Sequence, residues 1–198
     1  MKILLVGAAG TIGRAIDAEL ASRHEIIRVG RTGGDHQADI TDPESLRALF
    51  GRIGTVDAIV CAAGEAHFAL LKQQTAETLR RGLDSKLMGQ VTLTLLGLQH
   101  LTERGSVTLT GGILSDRPFR SDAGGTMANA AVEGFVRAAA IELPPVRINA
   151  VSPTLLAESV DRYGAAFRGF EPAPAARVAL GYSRSVEGAE TGQIIRVH

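Results

Sequence analysis

Cysteine is almost missing from this chain. Cys61 stands alone, which excludes an internal disulfide and any multi-cysteine metal site. There is no tryptophan, and aromatic residues make up only 4% of the sequence, which argues against a surface that stacks nucleic-acid bases. Neither charge is in excess: 21 Lys and Arg meet 21 Asp and Glu, so nothing attracts the chain to nucleic acid or an anionic membrane. No apolar run approaches the length of a membrane span. His24, His36, His100 and His198 are scattered without ligand spacing, so no metal site is expected. A first strand starting at residue 2 leaves no room for a leader ahead of it, and the expected location is the cytoplasm. What remains is 198 residues of ordinary globular composition, 45% hydrophobic, expected to form a single domain over residues 1–198.

The most informative stretch is the first fourteen residues. Apolar Ile3 to Val6 runs straight into Gly7, Gly10 and Gly13, and a helical pattern follows. This reads as strand, tight turn and helix. Glycines at such a turn let the chain reverse, bring the backbone close to a phosphate and pack the helix against the sheet. The helix then presents free N–H groups and its positive dipole end to an anion. The spacing, Gly-x-x-Gly-x-x-Gly, differs from the common Gly-x-Gly-x-x-Gly. The alternative is a tight β–α turn without a ligand.

Further along, Ile12, Ile16 and Leu20 mark one face of a helix over residues 11–22, and residues 24–29 read as a strand. A polar loop covers 31–37. Thr41 or Asp42 is suited to cap a helix through Phe50, with Pro43 in its first turn. The apolar run at Ala58, Ile59 and Val60 reads as a strand buried on both faces. Residues 75–101 read as one long helical stretch that contains Gly82, Gly89 and Gly97. A strand over 106–110 and a loop over 114–125 come next. An Ala-rich helix over 127–143 is stopped by Pro144 and Pro145. A strand at 147–151, an irregular stretch at 154–173, a helix at 175–186 and a last strand at 193–197 complete the pattern. Such alternation predicts an α/β fold with a doubly wound parallel sheet of about seven strands.

Ligands of such sheets lie beyond the carboxyl ends of the strands, at the switch point. Five segments should converge there: 7–13, 30–32, 61–64, 111–113 and 152–155. The end of the second strand decides the dinucleotide. An NAD site usually carries a carboxylate there, whereas this chain has Arg31 and Thr32, with no acid before Asp35. A guanidinium can grip a 2′-phosphate, so NADP(H) is favoured over NAD(H). The alternative is a solvated loop arginine.

With these segments in order, the chain resembles the short-chain dehydrogenase/reductase family over nearly its whole length. The resemblance rests on the turn from Gly7 to Gly13, on Asp39-Ile40, and on Cys61-Ala-Ala-Gly64 in place of Asn-Asn-Ala-Gly. It continues through residues 105–110, 129–134, 140–143 and 146–153 to the ending at 191–195. It implies a Rossmann-type fold, a nicotinamide cofactor, and oxidation or reduction of an alcohol or carbonyl. Gly7, Ala9, Gly10, Thr11, Ile12 and Gly13 would then hold the phosphates, with Arg31 and Thr32 beside them. Asp39 would bond the adenine and Ile40 would pack on it. Ala62, Ala63 and Gly64 would line the adenosine ribose, and Lys86, Pro153 and Leu155 would lie toward the nicotinamide. The family commonly forms dimers or tetramers through its two long helices, here 75–101 and 127–143.

The departures fall on the acid of that family, a Tyr four residues before a Lys, assisted by a Ser. Here Asn129 stands at the Lys position, Gly125 at the Tyr position, and Gly111 or Gly112 at the Ser position. Tyr163 and Tyr182 are the only tyrosines, and neither has a Lys four residues on. Lys86, one of three lysines, occupies the place where the family puts a water-holding Asn. The candidate catalytic residues are therefore Lys86, Asn129, His67 and Tyr163. Loop residues Ser115, Asp116, Ser121 and Asp122 are available to a substrate. Two readings stay open. One is an NADP(H)-dependent oxidoreductase of a small carbonyl or alcohol with an atypical proton donor. The other is an inactive NADP(H)-binding sensor or interaction protein.

Overall fold

Strand β1 (Lys2–Val6) is central, and its side chains alternate between two cores. Leu4 and Val6 face one side, Ile3 and Leu5 the other, as the two-residue period of a strand requires. The computed structural model describes residues 1–66 and 68–198. Seven strands form one parallel sheet in the order β3-β2-β1-β4-β5-β6-β7. The others are β2 (Glu25–Gly30), β3 (His36–Gln37), β4 (Val56–Cys61), β5 (Leu101–Thr110), β6 (Arg147–Pro153) and β7 (Ile194–Val197).

Helices cover both faces. On one side α2 (Pro43–Ile53), α4 (Gly89–Gly97) and α5 (Ala123–Glu142) bury Leu46, Leu93, Val132 and Val136 against the sheet. On the other, α1 (Thr11–Leu20) and α7 (Ala175–Glu187) bury Ile16, Leu20, Val178 and Tyr182. The expected doubly wound, Rossmann-type sheet is present, with its order reversing between β1 and β4. At the start of α2, Asp42 caps the helix by accepting from the Glu44 N–H at 3.0 Å, and Pro43 opens the first turn.

Three expectations need correction. The stretch 75–101 is not one helix. It is α3 (Ala76–Gly82), a π-helical segment (Leu83–Met88), α4 and a 3₁₀ turn (Leu98–His100). Gly89 and Gly97 are not breaks. They let the helix approach the sheet, where a Cβ would press on Ile40 at the first and collide with Ile59 at the second. Strand β5 starts five residues earlier than the apolar pattern suggests, at Leu101, and its register against β4 shifts between Val56 and Ala58. Helix α5 starts at Ala123 rather than 127, because Gly124 and Gly125, read as loop formers, are buried in its first turn. The irregular stretch after β6 holds a short helix, α6 (Val160–Tyr163), and is tied back by a bridge between Leu156 and Ala173.

Candidate dinucleotide cleft and active site

The turn after β1 is held by Gly7, whose N–H donates to the Val29 carbonyl at 2.8 Å. Gly7 has φ +88, and a Cβ there would lie 2.7 Å from backbone atoms of Ala62. A Cβ on Gly13 would collide with the Gly7 carbonyl. These two positions let the β1–α1 turn lie flat against the end of β4. Gly10 is the N-cap of α1 and supplies no side-chain cap, so the helix end is left to an outside acceptor.

Against this turn lies a cleft of about 450 Å³. Its walls include Gly7, Ala9, Gly10, Arg31, Asp39, Ile40, Ala62, Ala63 and Gly64, together with Glu65 and Ser85. Thr11, Ile12, Gly13, Thr32, Lys86, Pro153 and Leu155 are not on these walls. Gly13 is buried behind the turn, and Thr32 is exposed just past it. Pro153 and Leu155 are buried at the end of β6. Of the five converging segments, the first three meet at this cleft, while those at 111–113 and 152–155 lie outside its walls.

Arg31 follows directly on β2 and is exposed. The first carboxylate after that strand, Asp35, is not on the cleft walls and accepts from the Arg28 N–H at 2.8 Å. Asp39 accepts from both the N–H and hydroxyl of Thr41 at 2.9 and 2.7 Å. Those bonds, with a smaller pull from Arg31, hold its carboxyl below the usual value.

The π-helical segment carries Lys86. A π turn adds a residue to the helical circuit and recurs at functional sites. Here it places the Lys86 ammonium 3.0 Å from the Gly111 carbonyl, to which it donates. Gln90, fully buried, fixes this arrangement. Its amide donates to the Lys86 and Thr110 carbonyls at 2.9 and 3.0 Å, and its oxygen accepts from the Thr110 N–H at 2.8 Å. Gly64 backs onto the same lysine, where a Cβ would lie 2.9 Å from the Lys86 Cα. Desolvation pulls the Lys86 amine down to about 8.

Asn129 projects from α5 against Gly112, where a Cβ would stand 2.9 Å from its Nδ2, and its buried Oδ1 has no partner among the described residues. One turn on, buried Glu133 accepts from Ser115 at 2.5 Å and from Arg137 at 3.1 Å. Tyr163 does not join Lys86. Its ring lies 6.3 Å from that of Phe68, in an aromatic group with Phe119, Phe167 and Phe170. Tyr182 is sealed in the core, with its hydroxyl 2.6 Å from Thr110, and burial drives its pKa up. Cys61 is buried too, its thiol pushed up to about 11, which makes it inert. His67 lies outside the described residues.

Gln90 escapes a reading by sequence, and Asp122 is legible there only as a loop residue available to a substrate. Gln90 sits four positions after Lys86, so helical spacing could have flagged it as a neighbour. Asp122 reads as one polar loop residue among several, yet it is the buried N-cap residue of α5.

The cleft has features that suit a dinucleotide: a turn walled by Gly7, Ala9 and Gly10, a helix N-terminus without a side-chain cap, and a cation after the end of β2. Comparison with known proteins agrees with its architecture. The family model described as enoyl-(acyl carrier protein) reductase matches residues 9–195. The crystal structure of the protein lin1944 from Listeria innocua is 46% identical and superposes with a TM-score of 0.98, each chain covered in full. A small-chain dehydrogenase crystallised in complex with NADPH is 27% identical, with a TM-score of 0.88 over 100% of this chain and 96% of that one. Among curated relatives, the short-chain dehydrogenase/reductase FrzI of Cladobotryum sp is 29% identical over 76% of this chain and 68% of its own length. Carbonyl reductase family member 4 of Danio rerio is 26% identical over 77% and 74%. This chain belongs to the short-chain dehydrogenase/reductase family of oxidoreductases.

Proposed function

We propose that the protein is an NADP(H)-dependent oxidoreductase acting on a small carbonyl or alcohol. The observation that carries this reading is the cleft wall formed by Gly7, Gly10 and Arg31, with Asp35 bonded back onto Arg28. A 2′-phosphate next to Arg31 would meet a cation and no competing carboxylate from this loop. The α1 N-terminus would take the pyrophosphate, with Gly7, Ala9, Gly10, Thr11, Ile12 and Gly13 forming the turn and Thr32 flanking Arg31. Asp39, Ile40 and Ala62 to Gly64 would hold the adenosine, and Lys86, Pro153 and Leu155 the far end. When bound, the dinucleotide supplies or accepts a hydride. The NADPH complex of the 27%-identical dehydrogenase supports a nicotinamide cofactor in this fold.

Lys86 is the cation of the reacting end in this reading, and Asn129 a second polar group of that end. The remaining catalytic candidates are Tyr163, near the aromatic group, and His67. Exposed Leu95 on α4 and Ile141 on α5 support pairing of two copies through those helices. Among the described residues, no helix is long and apolar enough to cross a membrane.

The test is NADPH consumption with a panel of small aldehydes and ketones, on the wild type and on Lys86→Met. The reading expects turnover, and a fall of about 100-fold or more in the variant. Tight NADPH binding with no turnover across the panel would favour the sensor instead.

A further inference from the structure

The walls of the dinucleotide cleft carry one cation, Arg31, against two carboxylates, Asp39 and Glu65. A dinucleotide phosphorylated at the 2′ position brings its pyrophosphate and a further charge of about −1.5 to −2 on the added phosphate. Arg31 alone does not balance that charge, so the site calls for a second cation.

Arg14 is placed to supply it. It lies in α1 one turn past the Gly10 N-cap, where its N–H donates to the Gly10 carbonyl at 2.9 Å, and it is exposed. Helical side chains lean toward the N-terminus of their helix. The Arg14 guanidinium does so, reaching back to the turn and donating to the Ala9 carbonyl. That bond uses one of the five N–H donors of a guanidinium, and its side chain makes no other bond among the described residues. Ala9 and Arg31 wall the same cleft. Their segments are also joined by backbone, since the N–H groups of Gly7 and Ala8 both donate to the Val29 carbonyl, at 2.8 and 3.2 Å.

The neighbouring acids are held elsewhere. Asp17 follows Arg14 by three residues on α1, a spacing at which opposite charges pair. It pairs instead with Arg28 of β2, at 2.8 and 3.0 Å. Asp35, in the loop after Arg31, is bound to the same residue. It accepts from the Arg28 N–H at 2.8 Å and lies 3.7 Å from the Arg28 guanidinium. Arg28 thus takes up two carboxylates, and Arg14 and Arg31 are left without an ion pair among the described residues. The positive charge that remains on this side of the sheet sits on the two guanidiniums beside the turn.

Resting on the NADP(H) reading, we infer that Arg14 is a second cation for the 2′-phosphate, and that Arg28 is a positioning residue that keeps Asp17 from neutralising it. Arg31 holds the phosphate by direct bonds. Arg14, anchored at Ala9, adds its charge to a phosphate held in that place. Without Arg31 the phosphate turns to water, and the share of Arg14 is lost with it.

Dissociation constants of NADPH and NADH at low salt test this. Arg14→Gln keeps a donor for the Ala9 carbonyl and removes the charge. It should weaken NADPH about fivefold and leave NADH little changed, and the loss should shrink as salt rises. Added to Arg31→Ala, it should cause no further loss. Arg28→Met should weaken NADPH by a similar factor, and Asp17→Asn in that background should restore the affinity. An Arg14→Gln variant that binds NADPH as the wild type does, or that weakens both nucleotides equally, overturns the role of Arg14. A loss in Arg28→Met that persists with Asp17→Asn overturns the role of Arg28. A wild type with no preference for NADPH over NADH overturns the NADP(H) reading, and this inference with it.

Discussion

The Lys86 ammonium donates to the Gly111 carbonyl at 3.0 Å, joining the π-helical segment to the end of β5. Burial leaves the amine short of water, and its pKa is lowered to about 8 from an ordinary 10.5. The folded state thus binds fewer protons than the unfolded state between those two values, and stability rises with pH across that window. Lys86→Met should remove this rise. The variant should be more stable than the wild type at pH 7, by on the order of 1–3 kcal/mol, and the gap should narrow toward pH 10. Urea unfolding of both proteins at several pH values measures it.

Gln90 bridges the Lys86 carbonyl and both backbone groups of Thr110. Gln90→Leu keeps the volume but leaves a buried N–H and carbonyl without partners. The expected cost is about 2–3 kcal/mol, read by urea unfolding. A cost near zero would mean that the bridge does not position the lysine.

Gly7 combines φ +88 with the 2.7 Å approach of the Ala62 backbone. Gly7→Ala meets backbone on one side and a disfavoured conformation on the other, so neither can relax cheaply. The fold should lose about 3 kcal/mol or more. Any folded fraction should bind the dinucleotide poorly, as thermal melts with and without NADPH would show.

Much of this architecture is legible in the sequence. Glycines placed directly after an apolar run report a tight strand-to-helix turn, and Gly7 and Gly13 meet the steric requirement of that turn. Alternating apolar runs gave the order of strands and helices, since sequence periods reflect burial. The site's far end was harder to read. The π-helical segment looks like ordinary helix in sequence, because its insertion depends on tertiary bonds such as those of Gln90. Gly124 and Gly125 disguised the start of α5, which left Asp122 in an apparent loop. Its carboxyl is bonded by Thr126, which is hidden on a helix face. The short β3 lies in a stretch read as polar loop, because an edge strand of two residues carries no periodicity.

The central claim is that Arg31 makes the cleft an NADP(H) site. It is tested most directly by dissociation constants of NADPH and NADH for the wild type and for Arg31→Ala. A charge-assisted bond to the 2′-phosphate corresponds to about 1.5–3 kcal/mol, or roughly 10- to 150-fold in affinity. The wild type should therefore bind NADPH at least about tenfold tighter than NADH, and that preference should collapse in Arg31→Ala with NADH affinity little changed. Equal or tighter binding of NADH by the wild type, or a preference that survives the loss of Arg31, would contradict the account.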